Sequence, residues 1–418
     1  MKCIKTIFLT FFIVVSSLPV WAQWDQSVIQ NPGTGKYLVG VYGNADYSSS
    51  AITTAFGVDF LAGQYINDAL KQQVVSNLQT ANRAGFSLNT GIIGVLYNDS
   101  MGKRNFNFFL ALRDRSYGNA DFPPDVFKVA FYGNAPYAGE SAKLSPFSLN
   151  NLSYQQLELG SLCTNIVGKA KLGIGISFLA GQQLQAVNMS TGYLYTDPYG
   201  QYLQLNSNTK YNASDSTPGH NFFNGYGASL DIYLSIPYKI ASKPGVLSVS
   251  VNDLGFIKWN SHALSYNKDT TYTYNGIIIN NLNDLQNAAI NNLSKDSLQN
   301  KYFPLAAKSF YTSIPTTVSI NAKTDLGKMA LEVGGCYIFN ANYLPYYYIQ
   351  GDKAFSHNWY FNLQLGYGGY ATYNASVGIK KQIKNTEIKL AVNHLQGIIL
   401  PAALGGAGVF LAIGHTFK

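Results

Sequence analysis

The chain has 418 residues, of which 47% are hydrophobic, 14% aromatic and 12% charged, with a formal net charge of +8. Soluble domains usually carry about 25% charged residues, and a disordered chain would be rich in charge and poor in aromatics. No run of about 18 apolar residues follows the first segment, which also excludes a helical membrane protein.

Residues 1–22 read as a secretory signal. Lys2 and Lys5 form a basic start, Ile7–Leu18 an apolar stretch, and Val20-Trp21-Ala22 a small-residue cleavage pattern before Gln23. About twelve apolar residues are too few to anchor the chain across ~30 Å of hydrocarbon. Residues 23–418 show no linker and no repeat of fixed period, and are expected to form a single domain. Their basic excess is spread out, densest at Lys380-Lys381-Gln382-Ile383-Lys384 beside a turn. A nucleic-acid binder would concentrate it on one face, so no nucleic-acid partner is expected and the lysines read as solvating groups. Cys163 and Cys336 are one distant pair, not a disulfide framework.

Taken in chain order, Tyr65–Ala81 has helical period, with Ile66, Leu70, Val74 and Leu78 on one stripe. Asn105–Arg113 alternates loosely: Phe106, Phe108, Leu110 and Leu112 oppose Asn105, Asn107 and Arg113, with Phe109 and Ala111 intruding on the polar side. Asp121–Leu144 is rich in Pro and Gly and reads as a short helix within a long loop. Ala170–Gly181 sets Leu172, Ile174, Ile176 and Phe178 against Gly173, Gly175 and Ser177. Gly225–Pro237 sets Tyr226, Ala228, Leu230, Ile232, Leu234 and Ile236 against Ser229, Asp231, Tyr233 and Ser235. A second helical stripe runs over Leu282–Leu298. Strand-like alternation returns at Leu247–Val251, Phe361–Tyr367, Tyr373–Ile379, Ile388–Val392 and Val409–Ile413.

Alternation alone describes any half-buried strand. Three features favour a transmembrane antiparallel β-barrel of about 14 strands, within a range of about 12–16, with a few short loop or lumenal helices. The polar faces carry Gly, Ser, Asn and Gln with few charges, as a closed wet lumen would. Several segments reach the ten residues that a tilted strand needs to cross a bilayer. Aromatic residues cluster toward strand ends, including Trp259, and Trp359, Tyr360, Tyr367 and Phe417 are expected to form an aromatic girdle. Open sheet edges are excluded from lipid, so such a sheet must close. The penultimate Phe417 suits the aromatic-ended last strand that barrel-assembly machinery reads.

At Asn252-Asp253-Leu254-Gly255-Phe256, followed by Trp259, the chain resembles an uncharacterised family of Bacteroidota outer-membrane β-barrels. That family carries a domain of unknown function and is grouped with fatty-acid-transporter-like and type IX secretion-associated barrels. Gly133–Glu140, the polar strand pair Thr191–Asn212 and the glycine-rich close Leu404–Phe417 extend the resemblance over most of the chain. It implies an outer-membrane location with lipid as partner, and no catalytic residue.

No chemistry-bearing motif stands out. His220, His262, His357, His394 and His415 lie in separate segments without metal-ligand spacing, and no Gly-x-Ser-x-Gly is present. No catalytic, cofactor-binding or metal site is expected, and the protein is not expected to be an enzyme. His415 reads as a residue of the membrane boundary. Asp253 reads first as the organiser of a bulge or turn, and second as the lining of a lumenal constriction. The leading expectation is a barrel that passes or binds a small hydrophobic or amphipathic solute. The alternative is a non-transporting partner barrel of a secretion or gliding assembly, with Tyr193–His220 and Tyr343–His357 as docking loops. A blocked interior would favour the scaffold, and an apolar pocket with a lateral opening would favour ligand transfer.

Overall fold

The computed structural model describes residues 35–97, 106–167, 169–215, 223–275 and 304–418. The expected signal at 1–22 and the expected helix Leu282–Leu298 lie outside the described residues.

Fourteen strands pair in sequence and close on themselves. The first seven are β1 (Tyr37–Ser49), β2 (Asn82–Leu96), β3 (Phe106–Phe122), β4 (Phe147–Thr164), β5 (Lys171–Thr196), β6 (Gly225–Ile240) and β7 (Lys243–Trp259). They continue as β8 (Thr316–Asp325), β9 (Met329–Phe339), β10 (Leu344–Ala354), β11 (Trp359–Gly369), β12 (Tyr373–Ile383), β13 (Thr386–Asn393) and β14 (Gly405–Phe417). An antiparallel ladder from Tyr37↔Phe417 to Ser49↔Gly405 joins β14 to β1, leaving the wall without an open edge.

Alternation decides the faces, and they are inverted relative to a soluble protein. Along β6, Ser229, Asp231, Tyr233 and Ser235 are buried while Tyr226 and Ile236 are exposed. On β3, Phe106, Phe108, Leu110 and Leu112 stand outward, and Asn107, Phe109, Ala111 and Arg113 are buried inside. An apolar exposed band around a closed sheet is the surface that hydrocarbon requires. Among the described residues no helix is long and apolar enough to cross a membrane; strands do the crossing.

The two ends differ. One holds short connections, such as Ala241–Ser242 and Lys384–Asn385, together with the start of β1 and the end of β14. The other holds long loops with α1 (Thr54–Ala62), α2 (Asp68–Asn77), α3 (Pro124–Tyr132) and α4 (Leu395–Ile399). The expected helix Tyr65–Ala81 is α2, begun by Asn67, whose Oδ1 accepts from Leu70 N at 2.9 Å. Helix α3 falls within Asp121–Leu144. Phe56, Val74 and Phe127 from α1–α3 pack together against Ala84 and Phe122 at the ends of β2 and β3. The helices therefore pack on the rim, burying their stripes against strand ends. Strand β5 continues past this rim, where Leu203–Ala213 and Leu264–Tyr274 extend its sheet.

The interior departs from the expected uncharged lumen. Near mid-height Arg113 pairs with Glu158, and Arg115 lies 3.2 Å from Asp253. Tyr233 OH donates to Asp231 at 2.8 Å, and Gln156 Nε2 donates to Asp253 at 2.9 Å. Toward the short-turn end, Ile93, Val95, Phe109, Leu162 and Phe410 fill one side of the lumen. Five ionisable side chains can be buried here because each has a charged or hydrogen-bonded partner. Inward glycines make the room: a Cβ on Gly175 would lie 2.0 Å from Glu158 Oε1. The lumen is packed with side chains at this level.

Candidate functional site

Above the ionic layer, at the long-loop end, a cavity of about 30 Å3 remains. It is room for roughly two waters. Phe86, Tyr117, Ile338, Tyr343, Tyr346 and Tyr370 supply its apolar lining, and Asp46, Ser87, Asn119, Asn374 and His394 its polar groups. Asp46, Ser87, Tyr117, Asn119, Ile338, Tyr346 and Asn374 are on the inward parity of their strands, so ordinary pleating delivers them, whereas Phe86 comes from the opposite parity of β2.

The β9–β10 turn forms the roof. Asn340 and Asn342 adopt φ of 59° and 50°, the left-handed conformation that Asn tolerates in tight turns. From there Asn342 Nδ2 reaches across the mouth to Asn119 Oδ1 on β3 at 2.9 Å and Ser148 Oγ on β4 at 2.7 Å. Tyr370 OH donates to Ala341 O at 2.6 Å, and its ring meets Tyr343 edge-on at 5.0 Å. Burial pushes both phenols above their ordinary range, so they remain neutral donors.

One flank of the cavity is unusual. The β12–β13 ladder runs from Val377↔Val392 to Ile383↔Thr386, and among the described residues no strand pairs with Tyr373–Ser376 on that side. The side-chain amide of Gln396, in α4, takes the missing place. Its Oε1 accepts from Ala375 N at 3.1 Å and its Nε2 donates to Tyr373 O at 2.7 Å. Unpaired backbone facing lipid is costly, and here one side chain satisfies both groups. Helix α4 comes this close because Gly397 lacks a Cβ, which would lie 2.1 Å from Gly406 O. His394, opening α4 at φ 53°, donates its backbone N–H to Asn374 Oδ1 at 3.1 Å.

The motif at 252–259 lies elsewhere. Asp253 has φ 60° at a bulge opposite Leu230 and Ile232, which switches the inward parity of β7 from Ser250 to Asp253, Ile257 and Trp259. Its backbone N–H donates to Asp231 at 2.7 Å, so bulge and lumenal ion pair are one construction. Asn252 donates to Ser250 Oγ at 3.2 Å. Leu254 and Phe256 face outward, and Gly255 packs against the backbone of Ala228. Trp259 is fully buried, its Nε1 donating to Thr312 at 3.1 Å, so it is no part of a boundary belt.

Trp359, Tyr367 and Phe417 stand outward and exposed. Tyr360 shares the inward parity of Gln364 and sits at the short-turn mouth under Lys380, because consecutive strand residues face opposite sides. His415 lies outward, 4.5 Å from the Phe417 ring centroid, with Nδ1 2.8 Å from Thr386 Oγ1. Tyr343–His357, read as a loop, is mostly strand β10. Cys163 and Cys336 are free thiols. Asp46, Asn342, Tyr370 and Gln396 belong to no repeating pattern; the one local signal is Asp46 on the polar parity of β1.

Residues 33–392 match the model of a family described as a Family of unknown function (DUF5723). No curated protein matches significantly. Among solved structures, a FadL homologue from Pseudomonas aeruginosa is similar at 11% identity, covering 97% of this chain and 100% of that one, with a TM-score of 0.47. The Pseudomonas putida toluene transporter TodX is similar at 8% identity over 96% and 94% of the two chains, with a TM-score of 0.43. The translocator domain of the autotransporter NalP from Neisseria meningitidis, at 9% identity over 100% and 98%, has a TM-score of 0.35. These are distant likenesses, and the architecture above rests on this chain's own strand pairing.

Proposed function

The chain belongs to the DUF5723 family, and from its own geometry we propose that it is an outer-membrane barrel that binds a small amphipathic solute in the loop-end cavity. A single observation carries this reading: the cavity abuts the stretch of wall closed by Gln396 and not by a strand. Aromatic rings with a few inward polar groups suit a solute that is part apolar and part polar. In its present form the cavity is too small for such a solute, so binding requires the Asn340–Tyr343 turn to lift or the wall beside α4 to yield. The packed mid-lumen stops free flow through the barrel. In the usual arrangement of such barrels the long loops lie outside the cell and the short turns inside, and this reading adopts it. Trp359, Tyr367 and Phe417 serve as the boundary girdle in this reading.

The test is saturable binding of the amphipathic dye N-phenyl-1-naphthylamine to purified protein. Asn342→Ala, which unpins the roof, is expected to speed dye entry several-fold, and Tyr370→Trp to lower occupancy. Dye fluorescence that rises linearly with protein and is indifferent to both substitutions would reject the reading.

The filled lumen favours a second reading, a barrel that serves as a membrane anchor for a partner. The sheet that β5 carries beyond the rim, with Tyr199 86% exposed at its turn, would be the contact surface. A stoichiometric complex that survives purification, with no dye binding, is its expected signature.

A further inference from the structure

The fold gathers on one rim lysines that the sequence scatters. Lys169, Lys239, Lys243, Lys328 and Lys384 stand in or beside successive short connections, all of them exposed. Lys36 precedes β1 and Lys353 is the penultimate residue of β10 on the same rim, both also exposed. Asp325 is the one exposed acid among the described residues there. The inward acids of this end are taken by inward lysines: Glu332 lies 3.7 Å from Lys323, and Glu387 lies 3.5 Å from Lys380 and 3.2 Å from Lys389. At the long-loop end three cations meet acids, Lys71 with Asp68 at 3.1 Å, Lys128 with Asp125 at 3.7 Å and Arg83 with Asp121 at 3.8 Å, and Lys143 and Lys308 are exposed.

Several rim lysines lie over aromatic rings at the border of the apolar band. Lys381 Nζ is 4.6 Å from the Trp359 ring centroid, Lys36 Nζ 5.5 Å from that of Tyr37, and Lys353 Nζ 5.2 Å from that of Phe355. Aromatic rings settle where hydrocarbon gives way to headgroups, and lysine stems lie along apolar surface while their ammonium groups reach outward. We propose that the short-turn rim is a collar for anionic phospholipid headgroups of the leaflet it meets. The charges run around the circumference, from β1 through the β4–β5, β6–β7, β8–β9 and β12–β13 connections. That distribution fits a ring of lipid; a folded partner or a nucleic acid would need them on one patch. The assignment rests on the membrane-spanning barrel alone and stands whether or not a solute binds at the other end.

The experiment uses the full protein in phosphatidylcholine vesicles with and without phosphatidylglycerol, and reads quenching of Trp359 by brominated versions of each lipid. Brominated phosphatidylglycerol is expected to quench several-fold more effectively than brominated phosphatidylcholine, and added salt to erode the difference. Substituting Lys353→Gln, Lys381→Gln and Lys384→Gln together is expected to abolish most of the preference, at about five-fold per lysine. If that variant does not fold, the lipid comparison and its salt dependence in the unaltered protein decide the matter. Equal quenching by the two lipids, a salt-independent preference, or tighter capture of soluble polyglutamate than of phosphatidylglycerol would overturn the collar.

Discussion

His394 Nε2 lies 2.9 Å from Asp46 Oδ1, which ties the start of α4 to the first strand across the last one. The carboxylate occupies the space over Gly408, where a Cβ would lie 2.0 Å from Oδ2. The imidazole Nδ1 is 3.4 Å from Gln396 Nε2, so the wall closure and the β1–β14 junction share one side chain.

Both partners of that pair are buried, and removing one leaves the other uncompensated. His394→Ala is expected to cost about 1–3 kcal/mol, the penalty of leaving a buried polar group without its partner, read as a lower temperature at which the compact electrophoretic form is lost. Adding Asp46→Asn is expected to restore part of that loss. Additive losses would show that the two groups do not interact.

Gln396→Ala removes two hydrogen bonds from backbone at the edge of the wall. Hydrogen exchange of the Ala375 amide is expected to accelerate by at least ten-fold, about 1.4 kcal/mol of lost protection, while amides paired in the β11–β12 ladder stay slow. Unchanged exchange at Ala375 would mean that another group closes the wall.

The packed lumen predicts no steady conductance in planar bilayers. Arg113→Ala with Glu158→Ala and Tyr233→Ala removes a contacting ion pair and a neighbouring ring, and is expected to open measurable channels. Removing Arg113 and Glu158 together avoids leaving one charge buried alone. Channels in the unaltered protein would contradict the closed interior.

Leu110 is 50% exposed on β3. On a soluble surface Leu110→Arg would be nearly neutral; on the lipid face it is expected to cost about 2–4 kcal/mol. Urea titration of folding into phospholipid vesicles reads the difference directly.

Much of the wall was legible because period two is a local property. Phe106 to Arg113 and Gly225 to Pro237 each show their faces without reference to any partner. The packed lumen was not legible, since Arg113, Glu158 and Asp253 come from β3, β4 and β7 and meet only on closure. Reading polar faces as a wet, uncharged lumen missed that a charge can sit inward when a distant strand supplies its mate. Asp253 shows the same limit on a smaller scale: bulge and lumenal lining looked like rival roles, and the structure makes one residue do both. Trp259 was placed at a boundary by its position near a strand end, but the bulge six residues earlier turns its face inward. Gln396 had no signal at all, because nothing local marks a side chain that replaces a strand. The basic rim was hidden by its regularity, for lysines one connection apart look scattered along the chain and form a circle once it closes.

The length of β5 bears on how the protein can be seen from outside a cell. From Gly181, the last residue paired with β6, to Thr196 the strand runs fifteen residues, roughly 50 Å at about 3.3 Å each. Its sheet carries the Pro198–Gln201 turn well away from the lipid boundary. A short peptide tag inserted at Tyr199 should therefore be stained by antibody on intact bacteria, whereas a tag in the Ala241–Ser242 connection should be stained only after the envelope is breached.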